Sequence, residues 1–286
     1  MVVSTNRTPR KPRLTVSHPG GGHGKPHHPY HAARWLSLPG FGIFLAFVVA
    51  ICLWLDGIGP RFYHFQPTKL AEIVTHSLEQ QKMQNSTDTY ALVEDVITRI
   101  AEAYPDTRVR TDFRDRDEWM WNNAGGAMGS MFIVHASITE YLIIFGSAVG
   151  TEGHTGRHTA DDYFHILKGE QRAYEAGALE PEVRVPPFDQ HASDVEPGVW
   201  ELTLSFLCGG KIYPAGSVHH LERGKVKQYR FAEECWALEY AVGWIPPMLP
   251  FGLADTVFST LDFGSFYTTA RITAREMVAN LLRGKV

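Results

Sequence analysis

Acid is missing from the front of this chain. No Asp or Glu occurs before Asp56, while Arg7, Arg10, Lys11, Arg13 and Lys25 sit among Pro, Gly and His. Such a composition offers too little apolar surface to offset the entropy of ordering, so residues 1–33 read as a solvated polar and basic tail. The histidines of that tail, His18, His23, His27, His28 and His31, have no reading beyond adventitious metal binding. Cysteine is scarce: the 3 present exclude a disulfide framework. Cys52 lies in an apolar run, which leaves only Cys208 and Cys235 to pair, and both read as buried free thiols. Excess basic charge is absent too. A net charge of −4 excludes a nucleic-acid surface over the body of the protein.

Charge vanishes altogether from Leu36 to Leu55, LSLPGFGIFLAFVVAICLWL. About twenty charge-free residues suffice to cross a bilayer core. Arg34 and Trp35 at the front and Trp54 and Asp56 at the rear suit the two interfaces, so a transmembrane helix is expected over 34–56. Pro39 and Gly40 weaken its first turn, which places the continuous helix from about Phe41. A cleaved signal peptide fits poorly, because the preceding tail is long and no small-residue cleavage site comes after the run. A buried core helix is the other alternative. The basic tail predicts a cytoplasmic N-terminus with the body across the membrane. The sequon Asn85-Ser86-Thr87 would then meet the glycosylating side.

Residues 57–118 read as a helical segment packing on a barrel. Leu70, Ile73, Val74 and Leu78, then Leu92, Val93, Val96, Ile97 and Ile100, recur at helical spacing; Thr87 or Asp88 caps the second helix and Pro105 ends it. From 119 to 245 short apolar runs alternate with Gly and Pro. Gly198–Leu207, Lys211–Tyr229 and Cys235–Trp244 are strand candidates in an antiparallel barrel or sandwich, and a small closed barrel is able to enclose one ligand. Residues 246–286 read as two helices, Pro246–Phe263 and Ser265–Leu282. Their apolar faces are edged by Arg271, Arg275 and Arg283, which suits a membrane surface or packing on the barrel.

The stretch Gly125–Glu170 concentrates ionisable groups between apolar segments: His135, Glu140, Tyr141, His154, Arg157, Asp161 and Asp162. Burying such groups is costly unless they are paired or used, so this stretch is expected to form one wall of an apolar pocket containing carboxylates, with Trp236–Pro247 as the other. Pro214-Ala215-Gly216-Ser217-Val218-His219 resembles half of the metal-binding element of cupins. The matching HxH pair is missing, and His154 and His158 stand at helical spacing instead. A metal-dependent barrel enzyme is therefore an alternative, and no metal is assigned.

Two blocks, HASITEYLIIFGSAVGTEGHTGRHTADDYFHILKGEQ and ECWALEYAVGWIPPMLPFGLADTVFSTLDF, resemble the fungal C-8 sterol isomerase family, which is related in sequence to the mammalian sigma receptor of the non-opioid type. The resemblance runs from about Trp54 to the C-terminus and is slight between Ala173 and Glu196. It implies a cupin-like β-barrel carrying one N-terminal membrane helix and two membrane-apposed C-terminal helices, and a homotrimer by analogy with the receptor. It implies movement of a sterol double bond from C8 to C7 in ergosterol biosynthesis, at the endoplasmic reticulum membrane, without a redox cofactor. The receptor's ligand-site glutamate falls on Glu239, and the tyrosine that orients it falls on Tyr141. The receptor's second acid falls on Phe164, so the acid here is Asp161 or Asp162. The alternative is a non-catalytic sigma-type protein binding sterols or cationic amphiphiles.

That isomerisation adds a proton at C9, passes through a tertiary cation at C8 and releases a proton from C7. The site must therefore supply an acid, a base and cation stabilisation. Burial or a neighbouring carboxylate raises a carboxyl pKa enough for it to donate at neutral pH. Glu239 with Asp161 or Asp162 is the expected couple, and Tyr141 the group that orients Glu239. Trp236 and Phe164 offer aromatic faces to the cation, worth about 2 kcal/mol when desolvated. Tyr240 and His154 complete the expected substrate-binding set, with His154 either a proton shuttle or a partner of its own loop. Glu140 faces away from Tyr141 by strand alternation and is expected in a structural ion pair. His135 reads as a core residue, and Asp255 as a helix cap or a contact at the barrel mouth.

Overall fold

The charge-free run forms a helix, α1 (Leu38–Ile58), in the computed structural model, which describes residues 38–178 and 212–286, with side chains from 41 onward. By length and composition, the span Phe41–Phe62 is sufficient to cross a bilayer. The tail 1–33, the strand expected at Gly198–Leu207, and Cys208 lie outside the described residues.

After a 3-10 turn (Gly59–Phe62) come α2 (Pro67–Met83) and α3 (Thr89–Ala103). Pro67 opens α2, where its missing N–H costs nothing. Asp88 caps α3, its carboxylate accepting from the amides of Tyr90 at 2.8 Å and Ala91 at 3.3 Å. The spaced apolar residues Leu70, Ile73, Val74, Leu92, Val93, Val96, Ile97 and Ile100 are all buried.

Ten strands come next among the described residues: β1 (Trp119–Ala124), β2 (Ala127–Ala136), β3 (Glu140–Ser147), β4 (Thr151–His154), β5 (Ala160–Lys168), β6 (Glu170–Tyr174), β7 (Ile212–Pro214), β8 (Val218–Leu221), β9 (Gln228–Phe231) and β10 (Cys235–Gly243). They form two antiparallel sheets, ordered β1-β2-β3-β10-β5-β8 and β4-β9-β6-β7. The β1–β2 turn uses Gly125 and Gly126 at φ +65° and +83°, the left-handed pair that a tight hairpin requires. Gly125 also has no room for a side chain: a Cβ there would lie 2.0 Å from the carbonyl of His154.

Alternation divides the larger sheet's residues between two cores. Phe132, Val134, Leu142, Ile144, Leu238 and Tyr240 pack with the apolar stripes of α2 and α3. Met131, Ile133, Ile143, Phe145, Phe164, Ala237 and Ala241 face the other way, toward Tyr229 and Phe231 of the smaller sheet. Glu140, wholly buried, belongs to the outer side. It accepts from the amides of His64 and Phe65, each at 2.9 Å, from the Tyr240 hydroxyl at 2.6 Å, and from Lys285. The ion pair expected of it is thus Glu140–Lys285.

The chain closes with α4 (Leu249–Thr260) and α5 (Phe263–Leu281). The prolines at 246 and 247 delay the first of these beyond the expected start, since a residue preceding proline is steered away from helix. Leu261, at φ +56°, turns the chain, and Asp262 caps α5 by accepting from the Ser265 amide at 2.9 Å. Buried on α5, Glu276 pairs with Arg108 at 2.7 Å and Asn280 donates to the Ala136 carbonyl at 2.7 Å. The first bond holds α5 to the connector before β1, and the second holds it to the end of β2.

Candidate active site

Strand β10 lies between β3 and β5, so its residues have neighbours on both sides. Its inward face presents Ala237, Glu239 and Ala241, and its outward face Trp236, Leu238 and Tyr240. Across to β5 the register sets Glu239 opposite Phe164 and Ala241 opposite Asp162. Glu239 and Asp162 are therefore diagonal neighbours on one face, the arrangement in which cross-strand side chains meet.

Both carboxyls open into a cavity of about 310 Å³, within the range of small-molecule sites. Its walls include Met131, Tyr141, Ile143, Phe145, Phe164 and Tyr229. Its roof comes from the C-terminal helices and their lead-in: Met248, Leu249, Phe251, Thr256, Thr273, Ala274 and Met277. Two acids in apolar surroundings resist ionising. Burial pushes the Glu239 carboxyl up to about 7, against the opposing effect of its hydrogen bond with Asp162. Asp162 is held well above the usual carboxylate range by burial first, then by the charge of Glu239 and the bond between them. Among the described residues no cation is one of the larger causes of either shift. The couple titrates as a unit and keeps a proton into the neutral range.

The structure brings five of the expected site residues to this cavity: Glu239, Asp162, Tyr141, Phe164 and His154. Three others lie elsewhere. Asp161 faces outward, where it meets His220 at 3.2 Å and the Arg223 amide at 3.1 Å, because adjacent strand residues point to opposite faces. Trp236 lies on the outward face for the same reason, edge-on to Trp119 at 6.0 Å and donating to Glu234 at 3.2 Å. Tyr240 is buried in the outer core, its hydroxyl bonded to Glu140 and at 3.0 Å to the Phe65 carbonyl. Neither aromatic residue is positioned to touch a molecule in the cavity.

Tyr141 departs from expectation in its partner. Its hydroxyl bonds Thr273 of α5 at 3.2 Å rather than Glu239, and burial raises its pKa, with Glu239 adding to the effect. His154 accepts from the Gly156 amide at 2.9 Å, and Arg157 donates to the Gly224 carbonyl, so both shape their loop. His135 is a core residue that donates to the Arg108 carbonyl at 2.8 Å. Asp255 caps nothing: it sits within α4 and accepts from the Gly126 amide at 3.2 Å, joining that helix to the β1–β2 turn. His219 of the half-motif meets Gln171 at 3.0 Å and Lys227 at 3.3 Å. Among the described residues no group of three His, Cys, Asp or Glu is gathered to hold a metal.

Sequence reasoning missed Tyr229, His158, Thr273 and the methionines of the roof. The alternation QYRF, exposed–buried–exposed–buried on β9, was the available signal for Tyr229. His158 reaches the cavity from the loop after β4 and donates to the Thr155 carbonyl, and burial lowers its pKa.

Known proteins resemble this chain over most of its length. The family described as "ERG2 and Sigma1 receptor like protein" matches residues 42–195 and 203–285. The C-8 sterol isomerase erg2 of Aspergillus fumigatus is 48% identical over 244 residues, covering 85% of this chain and 86% of that protein. The C-8 sterol isomerase of Mycosarcoma maydis is 51% identical over 237 residues, covering 82% and 86%. The sigma non-opioid intracellular receptor 1 of Gallus gallus is 30% identical, covering 81% and 86%. Among solved structures, KdgF from Halomonas sp. aligns at 10% identity and a TM-score of 0.32, over 50% of this chain and 99% of that one. A likeness that low carries no weight. On the strength of its match over most of its length, the chain belongs to the family of ERG2 and Sigma1 receptor like proteins.

Proposed function

We infer that this protein is a C-8 sterol isomerase, moving the ring double bond of a sterol from C8 to C7. Fungal relatives bearing that name at 45–51% identity support the reading. The single structural observation that carries it is the Glu239–Asp162 couple, set in the wall of an apolar cavity with no ion pair to a cation among the described residues. The reaction needs one group that gives a proton and one that takes a proton, and no electrons. As the acid's O–H bond breaks, a C9–H bond forms and C8 becomes cationic. The C7–H bond then breaks toward the base and its electrons close the C7–C8 double bond. A couple holding one proton has both functions ready at neutral pH.

The apolar walls keep water from capturing the cation. Phe164 and Tyr229, the aromatic faces beside the couple, take the stabilising role that the sequence suggested for Trp236. The same reading makes α1 a single membrane span with a cytoplasmic N-terminus. It places the strand body in the lumen of the endoplasmic reticulum as a cupin-like barrel and in a homotrimer. Phe258, Leu261, Phe263, Tyr267, Leu281 and Leu282 are exposed on α4, α5 and their connections, the composition of helices lying on a bilayer surface. Sterol then enters the cavity laterally between these helices and the sheet.

Turnover in heavy water tests the reading. Protein in detergent, given a Δ8 sterol, should yield a Δ7 product carrying one deuterium at C9 by mass spectrometry. Tight binding of cationic amphiphiles without product would instead make the couple a ligand anchor of the sigma type.

A further inference from the structure

The ring of Tyr229 faces the cation, but its hydroxyl has no part in the steps above. Tyr229 of β9 lies almost wholly buried in the wall that also holds Glu239 and Asp162. Its ring packs between those of Phe164, with centroids 6.3 Å apart, and Phe231, at 5.6 Å. Phe164 is the residue directly across the sheet from Glu239 and two positions along β5 from Asp162. Tyr229 is thus fixed by its ring beside the residue that neighbours both acids. Its hydroxyl has no hydrogen-bond partner among the described residues, and it is not among the polar atoms sealed away from space. It is committed to no described group and opens to the cavity. The other phenol of the site, Tyr141, is already engaged with Thr273.

We propose that Tyr229 is a further catalytic residue of the isomerisation, its hydroxyl donating a hydrogen bond to the carboxylate that forms when the couple gives its proton to the substrate. The proposal rests on the isomerase reading. Protonating an alkene demands a strong acid, and a carboxyl in an apolar cavity is a weak one because its conjugate base is poorly solvated. A donor waiting for that base stabilises it only as it appears, which lowers the barrier without tightening ground-state binding. Both carboxylates act electrostatically on the phenol, burial being the larger cause of its raised pKa, so it stays protonated and a donor throughout the working range. No proton is transferred from Tyr229. The proton given at C9 comes from the couple and the proton lost from C7 returns to it.

Tyr229→Phe keeps the ring and its contacts and removes only the hydroxyl, so melting should be unchanged. Expected are a kcat lower by about 10–100-fold with KM within about threefold. The alkaline limb of the pH–rate profile, where the couple loses its proton, should move to higher pH by about one unit, since the ionised form has lost a donor. Phe164→Leu in parallel removes an aromatic face and should lower kcat without moving the limb. Binding of a quaternary alkylammonium amphiphile, whose own charge is independent of pH, gives a second readout. Its affinity should rise as the couple ionises, and the midpoint of that rise should shift upward in Tyr229→Phe. A Tyr229→Phe protein with kcat within twofold of the parent, or with a lowered kcat and an unmoved limb, would overturn the proposal. Should the parent itself make no product, the isomerase reading fails. The ammonium midpoint then decides alone whether Tyr229 serves the couple: a shift supports that donor role, and an unmoved midpoint ends the proposal.

Discussion

Two glutamates of neighbouring strands point away from bulk solvent in this protein and have opposite fates. Glu140 on β3 is wholly enclosed and surrounded by donors: two backbone amides, the Tyr240 hydroxyl and the Lys285 ammonium. Glu239 on β10 meets another acid, and burial pushes its carboxyl up to about 7. The same residue type in one sheet is structural where every lone pair is met and poised for proton transfer where none is met by a cation. The contrast arises from alternation, since Glu140 faces the outer side, where His64, Phe65 and Lys285 meet it, and Glu239 faces the cavity.

The largest expected effect comes from breaking the poised side. Glu239→Gln should lower turnover by about 10²–10⁴-fold, the scale of one acid–base group. Melting temperature should hold or rise, because an acid in a hostile setting has been replaced by a neutral isostere. The measurement is product formation alongside a thermal melt of the same preparation. Glu140→Gln should reverse the pattern. It leaves Lys285 buried without its counter-charge, and removing one member of a buried pair costs about 3–5 kcal/mol. A fall in melting temperature, with per-molecule turnover preserved in whatever remains folded, is the expected outcome.

A pH series sharpens the same comparison. The Glu239 carboxyl has a folded pKa raised above its ordinary 4.5, so the native state keeps a proton that the unfolded chain releases. Its contribution to stability is complete below about pH 4.5 and is lost as pH rises through about 7. Melts between pH 5 and 8 should show stability falling with pH from this source, and Glu239→Gln should flatten that fall. An unchanged slope in the variant would mean that the couple is not the group titrating.

How much of this was legible beforehand divides along physical lines. The spacing of Leu92, Val93, Val96, Ile97 and Ile100 gave α3, since one helix makes its own period, and Asp88 could be read as its cap. The face of Glu140 was legible from alternation relative to Tyr141, and the importance of Glu239 came with the family resemblance. What could not be read was register. Only the pairing of β10 with β5 brings Asp162 beside Glu239, and no local signal states which residue of a partner strand lies opposite. Alternation along β10 alone sets Trp236 and Tyr240 on the face away from Glu239, and flanking it in sequence does not bring them to the site. The Tyr141–Thr273 bond spans 132 residues, and the docking of α5 that creates it leaves no local trace.

The smallest expected effects lie with Asp161, and they set its neighbour's role in relief. Asp161 and Asp162 are adjacent in sequence, share a charge type and differ in the face they take. Asp161 is about two-fifths exposed and meets the partly exposed His220 at 3.2 Å. Pairs of that kind contribute roughly 0–1 kcal/mol, because water screens them and their side chains lose freedom on pairing. Asp161→Asn should therefore move the melting temperature by no more than a few degrees and leave turnover within about twofold. Asp162→Asn removes one half of the couple and should lower turnover by about 10²-fold or more with the fold intact. Running the two variants side by side tests the register itself. Equal losses would mean that both acids reach the cavity, which the pairing of Ala241 with Asp162 forbids. A loss confined to Asp162 would make the face of a single strand, rather than the local density of acid, the determinant of the chemistry.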